Sequence, residues 1–242
     1  MIIVKVDLSS KEITKLDEIY HSESDLYVKS DTIYKIFKYG VLTSDMLDTI
    51  MDLCEIKHDS LAETLYPVTL NNRKIDGIAM RYYKDYMTLS KYIETSNIPL
   101  NERIKLIKKL DRIFKSFKNI NYTYFDIHTD NILINNDDIK IVDTTSGVFN
   151  DNNEKDRITM LNRMAYLYYL LLLDTSYISN QNTSVQKRLL GRLNDKQRRF
   201  LFHAMEIDYS DFDPLECTEL FDEETISDQK KILRIEWWNK DI

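Results

Sequence analysis

Apolar positions along this chain fall into two regimes that meet near Lys84. Before it they form short β-prone runs with one amphipathic helix between them; after it they recur mainly at helical spacing. Ile2–Val6 and Leu26–Val28 are β-prone, His21–Ser24 reads as a turn, and Thr32–Lys38 carries the β-branched and aromatic content of a strand. Alternation along that strand sets Ile33, Lys35 and Phe37 on one face and Tyr34, Ile36 and Lys38 on the other. Thr43 or Ser44 can cap a helix running to about Lys57, with Met46, Leu47, Ile50, Met51, Leu53 and Cys54 at helical spacing. Leu65–Leu70 and Ile75–Tyr83 read as two further strands joined by a turn at Asn71-Asn72.

The helical regime starts at residues 88–95. Asn101 is the expected cap of a helix whose stripe is Ile104, Ile107, Leu110, Ile113, Phe114 and Phe117, with Lys and Arg on the solvated face. From about Lys155 to Leu173 the pattern is apolar nearly all round, which predicts a helix at the centre of its half. Helices over Val185–Leu193 and Asp195–Met205, the latter capped by Asn194, follow. A last helix, capped by Ser227, reaches Trp237, and the Trp237-Trp238 pair is expected to pack on this half.

Composition narrows the class. With 242 residues, the chain can bury one large core or two smaller ones, and 43% hydrophobic with 30% charged residues is ordinary for a globular protein. A net charge of −7 argues against a general nucleic-acid binder, since phosphate contacts need a basic face. Two cysteines, Cys54 and Cys217, are too few for a disulfide framework or a thiolate metal site and fit a reducing, cytoplasmic location. The first residues lack a signal-peptide pattern, and the apolar run Ala165–Leu173 falls far short of the ~20 residues that span a bilayer, so no membrane association is expected.

The chemistry concentrates in Tyr122–Asp143, YTYFDIHTDNILINNDDIKIVD. Ile132–Ile134 and Ile139–Val142 bracket the turn-forming cluster Asn135–Asp138, which predicts a β-hairpin. Because a hairpin's ends meet, Asn131 is expected beside Asp143, with Asp126 close by on the entering loop. Three oxygen-bearing side chains in one small volume suit a hard cation and a phosphoryl group.

This stretch resembles the catalytic loop and metal-binding hairpin of the protein-kinase-like superfamily, in which Asp is followed five residues later by Asn, then by a hairpin and a second Asp. The resemblance implies an α+β, bilobal fold: an N-lobe over 1–84, made of a small antiparallel sheet with one helix, and a mainly helical C-lobe over 85–242 carrying the loop and hairpin. It implies ATP and Mg²⁺ as cofactors. Asp126 would accept the proton of the attacking hydroxyl, Asn131 and Asp143 would hold Mg²⁺, and Lys35 would pair with the nucleotide phosphates. Asp48 is the first candidate for the helix carboxylate that partners Lys35, with Asp52 and Glu55 as alternatives. The backbone at Arg81, Tyr82 and Tyr83 would contact adenine.

Departures from the family pattern bear on function. No glycine stands in His21–Ser24, Tyr124-Phe125-Asp126 replaces His-Arg-Asp, and Asp143-Thr144-Thr145 replaces Asp-Phe-Gly, with no Ala-Pro-Glu following. His128 gives the Asp-x-His-x-x-Asn form of aminoglycoside- and choline-kinase-like enzymes, where it can steady the transferring phosphate. The expectation is an atypical kinase transferring the γ-phosphoryl of ATP to a hydroxyl. A protein Ser/Thr is favoured as acceptor, because no insertion encloses a small substrate. A pseudokinase acting as a binding module, a small-molecule kinase and an AMP transferase on the same fold are the alternatives.

Overall fold

The computed structural model describes residues 3–16, 23–71, 74–150, 153–178 and 183–238, with the backbone alone at 183–186 and 233–238. It is a mixed α+β chain. In chain order it forms strands β1 (Val4–Lys5), β2 (Thr14–Lys15), β3 (Ser24–Lys29) and β4 (Thr32–Phe37), helix α1 (Ser44–Glu55), and strands β5 (Thr64–Thr69), β6 (Gly77–Arg81) and β7 (Met87–Thr88). Helices α2 (Leu89–Thr95) and α3 (Leu100–Ser116) precede β8 (Tyr122–Tyr124), β9 (Ile132–Asn135), β10 (Asp138–Ile141) and β11 (Gly147–Phe149). The chain ends with α4 (Glu154–Leu173), α5 (Thr183–Gly191), α6 (Asp195–Ala204), α7 (Cys217–Leu220) and α8 (Glu223–Trp238). It divides into two compact units: one of Met1–Tyr86 with Leu133–Phe149, the other of Met87–Ile132 with Asn150–Ile242. The first division falls two residues beyond the expected 84/85 boundary, and the hairpin's main part belongs with the first unit, not the helical one. Among the described residues no helix is long and apolar enough to cross a membrane.

The first unit is built on a six-stranded sheet in the order β1-β5-β6-β4-β3-β2. The expectation of a wholly antiparallel sheet is corrected at its edge. There β1 runs parallel to β5, with Val4 opposite Val68. A parallel pair needs a long crossover, and β2 to α1 supply it. The alternation read in β4 holds. Tyr34 and Ile36 enter a core with Val6, Val68 and Ala79, while Ile33 and Phe37 face Ile50 of α1, Ile78 and Met80. Helix α1 starts where the Thr43 hydroxyl accepts from the Met46 N–H at 3.2 Å and buries Thr49, Ile50 and Leu53. The turn expected at His21–Ser24 begins outside the described residues, and Ser24 is already the first residue of β3.

Strand β6 carries the unit's tightest backbone approach. Gly77 sits opposite Ile36, and a Cβ there would land on the Lys35 carbonyl oxygen and 2.9 Å from Ile36 Cδ1. The hairpin forms as expected, with β9 paired to β10 and Asn136 taking a left-handed φ of 51° in the turn. It is tied to the chain before β5. Ala62 N–H donates to the Ile141 carbonyl at 2.9 Å and Ile141 N–H to the Ser60 carbonyl at 2.7 Å. These bonds explain why the hairpin groups with the sheet.

The second unit centres on α4, whose buried residues surround the helix from Ile158 to Leu173. Two expected caps are corrected. Helix α3 starts one residue before Asn101, from Pro99, whose carbonyl accepts from Glu102 and Arg103 N–H at 3.0 Å; the fixed φ of proline suits a helix start, and no side chain caps it. Helix α8 starts at Glu223, so Ser227 lies inside it, and the Asp222 carboxylate accepts from Thr225 N–H at 2.8 Å. Asn194 does cap α6, in a reciprocal pair with Gln197. The buried stripe of α3 includes two charged residues, Arg103 (6% exposed), which the pattern assigned to the solvent, and Asp111 (3%). Arg103 Nη1 donates to the last carbonyls of α4, at Leu172 and at Leu171 (3.1 Å), the latter also accepting from Asp174 N–H at 3.1 Å. Asp111 accepts from Lys115 at 2.9 Å and from the Tyr168 hydroxyl at 3.5 Å. The Trp237 and Trp238 side chains lie outside the described residues.

Gly77→Ala is expected to lower the urea midpoint by the equivalent of about 1–3 kcal/mol, because the added methyl has backbone, not a movable side chain, in its path. Gly191→Ala, with nothing within 4 Å, is expected to be neutral or stabilising by under about 1 kcal/mol.

Candidate functional site

Lys35 lies on β4, an interior strand between β3 and β6, and is 6% exposed. An interior strand gives this lysine no sheet edge from which to reach solvent. Its Nζ donates to Asp143 Oδ1, bringing together two residues 108 apart in the chain, and stands 5.1 Å from the centre of the Phe37 ring. Asp143 follows β10 with a left-handed φ of 54°, a conformation Asp tolerates better than most residues. Its Oδ1 also accepts from the Thr145 hydroxyl at 3.3 Å, and its carbonyl accepts from the Ser146 hydroxyl at 2.8 Å. Two contacts therefore hold the carboxylate at the end of the hairpin, and a third holds the backbone that carries it.

Asp48 does not partner Lys35. It lies on the exposed side of α1, as do Asp45 and Glu55, whereas the buried side presents Thr49, Ile50 and Leu53. At 100° per residue, the face that buries Ile50 against Phe37 turns Asp48 to water. Thr49 takes the inward position instead, its hydroxyl donating to the Gly147 carbonyl at 3.0 Å. This bond ties α1 to the segment just after Asp143. Pattern reading missed Thr49 because a lone threonine among apolar helix positions carries no signal of its own.

At the end of β6 the expected adenine-contacting backbone is mostly committed. Arg81 N–H donates to the Glu63 carbonyl at 2.9 Å and Tyr82 N–H to the Asp31 carbonyl at 2.8 Å. Neither amide can serve a nucleotide without breaking a sheet contact. Tyr83 N–H has no acceptor among the described residues, so it is the main-chain donor left of the three.

Asp126, His128 and Asn131 come together in the second unit. Tyr124, Ile127, Thr129 and Asn131 are buried, which pins the loop after β8 at alternate points and leaves Asp126 and His128 about half exposed. Thr129 is anchored through its hydroxyl to the Ser176 carbonyl at 3.3 Å. Asn131 Nδ2 donates to Asp126 twice, to the carbonyl at 3.0 Å and to Oδ2 at 2.8 Å. With its amide nitrogen so used, Asn131 turns only its oxygen, a hard ligand, to any cation. His128 Nδ1 accepts from Asp130 N–H at 3.3 Å, so a neutral ring carries its proton on Nε2, which stands 3.6 Å from Asp126 Oδ1.

The His128 ring is the main influence holding the Asp126 carboxyl below the usual range. Partial burial opposes it, and the Asn131 amide and the charge of Arg163 assist. Arg163, on α4 and paired with Glu206 at 2.6 Å, acts on Asp126 through its charge alone, and sequence reading passed over it. Its only sequence signal is a charge within 158–173, where every other residue of α4 is uncharged. Among the described residues no group of three or more His, Cys, Asp and Glu could hold a metal ion. A Mg²⁺ that keeps waters and phosphates needs only one or two protein oxygens, and Asn131 in the second unit and Asp143 in the first each carry an oxygen of that type.

His128→Ala is expected to raise the Asp126 pKa toward the ordinary value, and Asn131→Ala to raise it less, as followed by carboxyl-carbon NMR titration. Because the folded chain depresses this pKa, ionised Asp126 contributes stability above about pH 4 that is lost as pH falls through the folded value. Asp126→Asn should therefore show a smaller loss of urea midpoint between pH 6 and pH 3 than the wild type. In comparisons with known proteins, the chain matches no family model and no curated protein sequence.

Proposed function

We propose that this chain is an ATP- and Mg²⁺-dependent phosphotransferase of bilobal, protein-kinase-like fold that moves the γ-phosphoryl group to a hydroxyl. The observation that carries the reading is the pairing of Lys35 with Asp143 across 108 residues of chain. A buried lysine held by a carboxylate at a hairpin's end is a charge pair that a nucleotide's phosphates and their metal can enter. Desolvation makes a solitary buried ammonium costly, so such a lysine keeps an anionic partner at all times. Exchanging carboxylate for phosphate keeps it compensated.

Lys35 would bind and orient the phosphates, and Tyr83 N–H would receive the base. Asp143 and Asn131 would hold Mg²⁺, which when bound supplies positive charge against the phosphate oxygens. Asp126, kept ionised well below neutral pH, would orient the acceptor hydroxyl and receive its proton, and His128 Nε2–H would face the transferring group. Catalysis of this kind consists of positioning and charge stabilisation, which suits a site whose side chains are already fixed by hydrogen bonds. Protein Ser/Thr is the favoured acceptor class.

One observation favours the second reading, a pseudokinase that binds a nucleotide or protein without turnover. Helix α1 turns Thr49, not a carboxylate, toward the Asp143 segment, so Lys35 has no helix partner to release it. Product mass separates phosphoryl transfer from AMP transfer on the same fold.

Thermal unfolding with ATP, with and without Mg²⁺, tests the reading. At ~100 times its dissociation constant the nucleotide should stabilise the wild type by about 2.7 kcal/mol. In Asp143→Asn the Mg²⁺-dependent part should disappear, whereas Asp126→Ala should keep the shift and lose all transfer. Absence of any nucleotide shift in the wild type would leave a protein-binding module as the better reading.

A further inference from the structure

Within the second unit, the first turn of α3 and the first half of α8 line an open cavity of about 320 Å³. Leu100 and Ile226 give it an apolar wall; Arg103, Ser227, Lys230 and Lys231 give it polar ones, with Glu223 at the exposed rim. We propose that it binds a small molecule carrying one compact anionic head group, carboxylate or phosphate. This inference does not rest on the phosphotransferase reading.

Arg103 carries the argument. Its guanidinium is buried, and Nη1 caps the Leu171 and Leu172 carbonyls. Nε is enclosed without any acceptor, and Nη2 has none among the described residues. Asp174 is near enough for its charge to act on the guanidinium but forms no ion pair with it within 4 Å, and it pairs with Lys230 instead. A buried guanidinium bonded to two carbonyls and to no carboxylate is only half satisfied, since carbonyl dipoles solvate the cation without cancelling its charge.

The two lysines do not relieve it. Lys230 takes the same Asp174 at 3.3 Å, and Lys231 pairs at 2.8 Å with Asp228, which Arg192 also approaches at 3.5 Å. Glu223 is exposed and solvated. Positive charge is therefore in excess against the cavity, with Arg103 presenting a planar fork suited to a carboxylate or phosphate. The Ser227 hydroxyl and the lysine ammonium groups supply further donors. A volume at the small end of ligand sites, with two aliphatic walls, selects a molecule of a few carbons.

The test is a titration of the full chain with inorganic phosphate, and separately with butyrate, at constant ionic strength, followed residue by residue through backbone amide NMR signals. Saturable shifts confined to residues 100–103 and 223–231 are expected, weakened at least tenfold in Arg103→Lys and at least threefold in Lys231→Gln. Lys231→Gln, at an exposed position, keeps the test decisive if Arg103→Lys does not fold. Shifts that grow linearly with anion, that lie elsewhere in the chain, or that Lys231→Gln leaves unchanged would overturn the proposal.

Discussion

The Lys35–Asp143 ion pair is the constraint on which the first unit is arranged. An ammonium on an interior strand cannot stay charged without an anion, and the loss of its partner from such a position costs about 3–5 kcal/mol. The carboxylate must therefore arrive from another part of the chain and be held there. The hairpin delivers it, the bonds of Ile141 to Ser60 and Ala62 seat the hairpin, and the left-handed turn at Asp143 aims the side chain. Gly77 belongs to the same constraint. The strand beside β4 can approach the Lys35 carbonyl only because it has no side chain at that point.

The second unit solves a different problem, that of keeping a polar loop rigid while two of its side chains stay accessible. Buried Tyr124, Ile127, Thr129 and Asn131 punctuate this stretch, so half-exposed Asp126 and His128 each have an anchored neighbour. Asn131 serves both purposes, buried itself and bonded twice to Asp126. The carboxylate so held is favoured in its ionised form and fixed in orientation. Arg103 on α3 plays the equivalent structural part for α4, closing the end of the central helix where its own hydrogen bonds run out.

What could be read from the sequence was local. Period-two alternation identified β4 and the face of Lys35, because a strand's side chains have only two directions to choose from. Turn-forming residues between two apolar runs identified the hairpin, and the Asn194–Gln197 spacing identified the cap of α6. Apolar residues set the direction of α4 even though none of its faces stood out, since a helix apolar all round can only be central.

What the sequence left open was decided by tertiary packing. Helix α1 has apolar residues spread widely enough that Asp48, Asp52 or Glu55 could each have faced inward. Contact of Ile50 with Phe37 and Ile78 fixed its rotation and sent Thr49 inward instead. The same holds for Arg103 and Asp111, which share the apolar stripe of α3 because their partners, the α4 carbonyls, Lys115 and Tyr168, exist as partners only once the helices have met. The free amide of Tyr83 could be distinguished from those of Arg81 and Tyr82 only after the sheet's hydrogen bonds were assigned. By itself, then, the sequence determined the elements, the turn chemistry and the residue types able to handle phosphate, since these depend on neighbours along the chain. The partner of each buried charge was decided by the fold alone, because a buried group's electrostatic energy is set by atoms distant in sequence.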